Sequence, residues 1–255
     1  MSATPGKIAA KTGWLWLKQG MTLFRQQPAA LTSLLFANVL FALLLHSIPF
    51  LGQFVAVLLI PSLSMGVMQA CLLIENKQRV TMPVLLTGFQ KPLVFTLCKI
   101  GFAYLVVLGL IALPGQLMLR EAVTSGAVKT IADLKGDTLF VLMISGLLQT
   151  FFGVALLFAA PLAAWQKMPA SKALFYSFFA VWRSARVFVV MLLAWLGMLF
   201  GVMLVPSFLL GNSVIGFVLM AWIGFVFILL LQCAMFASYR QIFGLPERIV
   251  SLDKV

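Results

Sequence analysis

One histidine, six carboxylates and three cysteines are what this chain offers to acid–base, nucleophilic or metal chemistry. A catalytic site needs several such groups converging on one cavity. The carboxylates do not sit that way: Glu75, Glu247 and Asp253 fall at or beyond the ends of apolar runs, and Glu121, Asp133 and Asp137 share one polar segment. There is no HExxH, no GxSxG, no P-loop and no acid pair within an apolar run. Cys71, Cys98 and Cys233 each lie in an apolar run, without metal-ligand spacing or evident disulfide pairing, and read as small buried hydrophobes. The expectation is a protein with no catalytic residue, no metal and no cofactor.

Two titratable residues each carry two readings. Lys99 stands seven residues past Pro92, about 10 Å into a helix at 1.5 Å per residue. It is either a pathway charge facing a cavity, together with Gln69 and Gln232, or a lysine that snorkels back to headgroups. His46, beside Ser47 and Pro49, is either a proton site or the cap of a short turn.

The elements that carry these residues are set by composition. Residues are 63% hydrophobic and 9% charged, against about 25% charged in a soluble domain. Such a chain cannot cover itself with polar surface, so its solvent is lipid. The net charge of +12 does not imply nucleic acid, because no Lys/Arg-rich run tracks a phosphate backbone. Residues 1–28 contain no clean apolar core of a cleavable signal, since Lys18 and Arg25 interrupt it.

Charge-free runs count the spans at about 20 residues each. Residues 26–74 form a 49-residue run that holds a hairpin, with Pro49 and Gly52 as turn punctuation. Residues 92–119, interrupted only by Lys99, and 138–166 give one span each, and the 53 residues 187–239 give a second hairpin around "LGNS". The expected fold is all-α, polytopic, with six transmembrane helices. Placing both termini in the cytoplasm puts 15 Lys and Arg inside and three (Arg120, Lys129, Lys135) outside, as the positive-inside rule requires. Pro61, Pro114, Pro161 and Pro206 fall within spans, where each frees a carbonyl and invites a kink. They either line a gate between helices or are ordinary membrane prolines.

A phrase recurs before three of these spans: an aromatic residue, then a basic one, then an apolar run. The first is "KIAAKTGWLWLKQGMTLFRQQP", where Lys11, Lys18 and Arg25 are spaced seven apart on one face and Leu17, Met21 and Phe24 lie on the apolar side, with Trp14 near its edge. It reads as an interfacial helix with its basic stripe towards headgroups. The second is "TMPVLLTGFQKP", with Thr81 as a candidate N-cap and Lys91 at the exit. The third starts after Pro169, has Ser171 as a candidate cap and ends at Arg183 and Arg186. One membrane domain, 1–255, is therefore expected to contain three repeats of an interfacial helix plus a helical hairpin, over 6–76, 77–168 and 169–240. Gln69, Gln166 and Gln232 give the returning spans a shared polar exit.

"GWLWLKQGMTLFRQQP" with the later "GFQKP" resembles an uncharacterised six-span inner-membrane family of beta-proteobacteria, over nearly the whole chain. More distantly, the architecture is similar to the membrane domain attached to some glycerophosphodiester phosphodiesterases, and no accompanying hydrolase domain is expected. The resemblance implies fold and location; its motifs mark membrane entrances and transfer no catalytic residue. The expectation is a non-enzymatic inner-membrane protein whose Lys18, Arg25, Lys91, Arg183 and Arg186 contact anionic lipid headgroups, in envelope homeostasis or membrane-protein assembly. The alternative is a small transporter or lipid flippase that uses Lys99, Gln69 and Gln232.

Overall fold

The computed structural model describes residues 9–49, 51–124, 134–211 and 213–246, and the described residues contain helices and no strand. Lys7, Lys129, Asp133, Glu247, Arg248, Asp253 and Lys254, which entered the charge reading above, lie outside the described residues.

The helices are α1 (Thr12–Gln26), α2 (Pro28–His46), α3 (Leu51–Glu75), α4 (Leu93–Thr124), α5 (Gly136–Leu157), α6 (Ala159–Trp165), α7 (Ala170–Arg183), α8 (Ala185–Leu210) and α9 (Val214–Phe243), with a 3-10 helix at Met82–Phe89. Among the described residues, six segments are long and apolar enough to cross a bilayer: α2, α3, α4, α5 continued by α6, α8 and α9. This is an all-α membrane protein.

Local sequence sets the boundaries. Pro28 occupies the first turn of α2, where its missing N–H costs nothing. Pro161 removes the donor that would bond the Leu157 carbonyl, and α5 ends at Leu157 before α6 resumes the same span. Pro61, Pro114 and Pro206 instead lie inside unbroken helices. Gly211 takes φ +51°, and the Ser213 hydroxyl accepts from Gly216 N at 3.1 Å to start α9. The candidate caps at the other two lead-ins fare differently. Thr81 stands at the N-cap of the 3-10 helix without a side-chain cap bond, and Ser171 lies inside α7, whose N-cap is Pro169.

Helices α2 and α3, α4 and α5, and α8 and α9 pack as hairpins, and α3 also meets α1, α4, α6, α9 and the 3-10 helix. Burial gathers at one end of this bundle, where α3, α6 and α9 finish. There Met65 to Ile74 of α3, Ala159 to Ala164 of α6 and Cys233 to Tyr239 of α9 are buried without interruption. We call this end the hub. Towards the opposite ends of these helices apolar side chains are open: Phe208 of α8 is 93% exposed and Val214 of α9 78%.

The lead-in segments do not behave alike. Helix α1 buries Gly13, Trp16, Leu17, Gly20 and Leu23 against α8 and α9, so its apolar face is covered by protein. The expected stripe survives, with Lys11, Lys18 and Arg25 all exposed. The second lead-in is only an eight-residue 3-10 helix, packed on α3 through Val84, Thr87 and Gly88. Helix α7 buries Ala173, Ser177 and Val181 but leaves Phe175, Tyr176, Phe179 and Trp182 exposed.

Candidate functional site: the basic hub

The hub is tied across long sequence distances by polar side chains. Glu75, closing α3, forms an ion pair with Arg240 near the end of α9, and Arg240 also donates to Gln19 of α1 at 3.2 Å. Trp16 Nε1 donates to Gln241 Oε1. Gln27, at the α1–α2 joint, donates to Gln78 O at 2.7 Å and accepts from Val80 N at 3.0 Å, which fixes that joint against the loop after α3.

Deeper in, Trp165 Nε1 donates to Gln69 Oε1 at 2.9 Å, and Gln166 Nε2 donates to the Tyr239 hydroxyl at 3.4 Å. The Gln69 Nε2 and Gln232 Oε1 atoms are buried without a protein partner, as are Asn38 Oδ1 and Ser62 Oγ on the α2–α3 side. Cys71 and Cys233, unpaired by spacing, approach to 3.7 Å between sulfurs across α3 and α9, and both are free thiols.

Close helix approach makes these bonds geometrically possible. A Cβ on Gly20 would stand 2.7 Å from Ala234 N, and one on Gly13 would stand 2.5 Å from the Val187 carbonyl. Small residues at crossings allow van der Waals packing where the hydrophobic effect gives no advantage over lipid.

Five basic residues expected to meet headgroups surround this hub. Lys18 and Arg25 lie on α1, Lys91 between the 3-10 helix and α4, Arg183 at the last turn of α7, and Arg186 in the first turn of α8. All five are exposed. Lys18 Nζ sits 5.6 Å from the Trp14 ring centroid, a cation–π distance. Lys99, in the second turn of α4, is exposed as well, while Gln69 is buried and Gln232 half-buried. The structure therefore does not place Lys99 among the buried amides. His46 is exposed, with Nδ1 at 2.9 Å from the Ala42 carbonyl of its own helix.

Sequence reasoning did not find the Glu75–Arg240 pair or the burial of Trp16. The available signal was a single carboxylate at one span end and a single arginine at another. Among the described residues, no three of His, Cys, Asp and Glu converge as a metal would require.

The chain matches no protein-family profile. No solved structure matches it either. It is 31% identical, over 94% of both chains, to a protein of Burkholderia thailandensis named a probable inner membrane protein. No comparison connects it to glycerophosphodiester phosphodiesterases. At that identity and coverage, the chain belongs to the family of this inner membrane protein.

Proposed function

We propose that this is a non-enzymatic inner-membrane protein whose basic hub faces the cytoplasm and holds anionic phospholipid headgroups. Both termini are then cytoplasmic, and the three lead-in segments with their hairpins are repeats of one unit. The role that follows is in envelope homeostasis or in the assembly of other membrane proteins.

One observation carries the reading. Lys18, Arg25, Lys91, Arg183 and Arg186 are all exposed at the entrances of the spans. Each Lys or Arg near an anionic surface contributes about 1 kcal/mol, screened by salt. The test is native mass spectrometry of the gently extracted chain. Wild type should retain phosphatidylglycerol or cardiolipin, and Arg25→Gln, Lys91→Gln and Arg183→Gln combined should lose most of it. Unchanged retention in the triple variant would reduce the basic entrances to a topology signal.

A second reading, a small transporter or lipid flippase, draws on the buried unpartnered Gln69 Nε2 and Gln232 Oε1. Polar atoms at bilayer depth are costly and often functional. It requires a substrate path past these amides, which transport assays on Gln69→Leu would reveal.

A further inference from the structure

Helices α5 and α8 flank an open apolar groove. It is floored by Val181 and Phe188 and walled by Leu147, Phe151, Val189 and Leu192, with a volume of about 250 Å³. Helix α5 packs on α4 and α7, and α8 on α9 and α1, so each wall is held from behind. The floor is rigid, because the Phe188 ring lies 5.2 Å from that of Trp16 and 5.9 Å from that of Phe158. The polar atom in the lining, Thr150 Oγ1, is occupied by the Gly146 carbonyl at 2.9 Å.

The lining and its length point to the occupant. Ala185 to Leu192 on one wall and Leu147 to Val154 on the other each advance seven residues, about 10 Å. The lining is apolar on both walls along that length, which suits a hydrocarbon chain and offers a polar ligand no partner. The groove covers about a third of the ~30 Å hydrocarbon thickness, starting from the hub end.

A basic and an aromatic residue adjoin its hub end. Arg186 directly follows the lining residue Ala185 and is exposed. Trp182, 62% exposed, lies with its ring 5.7 Å from that of the lining residue Phe151 and 6.0 Å from that of Phe178, and exposed tryptophans favour the headgroup level.

We propose that this groove is a binding site for one anionic phospholipid, with an acyl chain between α5 and α8 and the phosphate against Arg186. The inference rests on the headgroup reading above and gives it an address. It is specific where that reading is not: a basic surface alone attracts any anionic headgroup, whereas a groove fixes the chain.

The test uses the full chain in nanodiscs of phosphatidylcholine with either phosphatidylglycerol or phosphatidylcholine carrying an acyl-chain photolabel. Phosphatidylglycerol label should concentrate on peptides covering 147–154 and 185–192. The variant Leu147→Trp/Val189→Trp fills the groove from two exposed rim positions, so it should insert and melt like wild type while losing that label. Arg186→Gln should cut phosphatidylglycerol labelling about fivefold and leave phosphatidylcholine labelling unchanged. Equal labelling by the two lipids, or label spread evenly over α8 and α9, would overturn the site. If the groove label fails while the triple variant still loses lipid in mass spectrometry, the groove alone is wrong. If both fail, the headgroup reading falls with it.

Discussion

The two ends of this bundle follow different rules. At the hub, the last ten residues of α3 before Glu75 are buried in one run, and so are seven consecutive residues of α9 from Cys233. Towards the turns the same helices lie open: Phe54 of α3 is 58% exposed and Ile215 of α9 70%. In water the open end would be an aggregation surface. In lipid it costs nothing, because acyl chains are as apolar as leucine. The difference teaches where stability resides. Apolar burial does not distinguish protein from lipid, so the fold is held where small residues let backbones meet and where polar groups pair.

The sharpest way to break the comparison is to add the same side chain at the hub and at an open position outside it. Gly20→Leu places carbon against the Ala234 backbone, and overpacking of this kind costs about 3 kcal/mol. Gly197→Leu on α8 meets open space and should stay within about 0.5 kcal/mol of wild type, as exposed substitutions do. Unfolding in mixed micelles measures both. Equal losses would show that the hub holds no special share of the stability.

Removing a ring should give a smaller contrast. Trp16 is buried and bonded to Gln241. A soluble core would lose about 3–5 kcal/mol on Trp→Ala. Part of that loss is transfer from water, which lipid does not impose, so Trp16→Ala should cost about 2 kcal/mol by the packing share alone. Phe208→Ala, at an open position, should cost close to nothing. The same unfolding experiment applies, and a Phe208 loss matching that of Trp16 would contradict the account.

Lys99 should give the smallest change in folding. It is exposed on α4 rather than set among the buried amides. Lys99→Arg should be silent, and Lys99→Leu should favour insertion by roughly 2–3 kcal/mol, read as a higher inserted fraction. Loss of cellular function in an abundant, inserted Lys99→Leu protein would instead support the transporter reading.

How much of this was legible beforehand depended on the kind of signal. The six spans follow from charge-free runs: the expected hairpin 26–74 is α2 and α3, and 187–239 is α8 and α9 within a few residues. Those runs report on lipid, which acts on every residue alike. The break after Leu157 was only partly legible: Pro161 frees that carbonyl, yet Pro61, Pro114 and Pro206 carry the same signal inside unbroken helices. What covers the apolar face of a lead-in was not. An amphipathic pattern looks the same whether lipid or protein lies beneath it, which is why α1 reads as interfacial yet packs under α8 and α9. Glu75 and Arg240 were equally opaque, being 165 residues apart. The exposure of Lys18, Arg25, Lys91, Arg183 and Arg186 matches a membrane-entrance pattern, but no residue type declares which lipid it meets. The groove between α5 and α8 depends on side-chain shape from three helices and had no sequence signal.

The central claim is that the packed, basic hub faces the cytoplasm and the open hairpin ends reach the opposite side. Compartment-reporting fusions test it most directly. Fusions after residue 80 and within 167–186 should be active only with a cytoplasmic reporter, and fusions within 120–138 only with a periplasmic one. A periplasmic signal at residue 80 would contradict the orientation and the pairing of spans on which it depends.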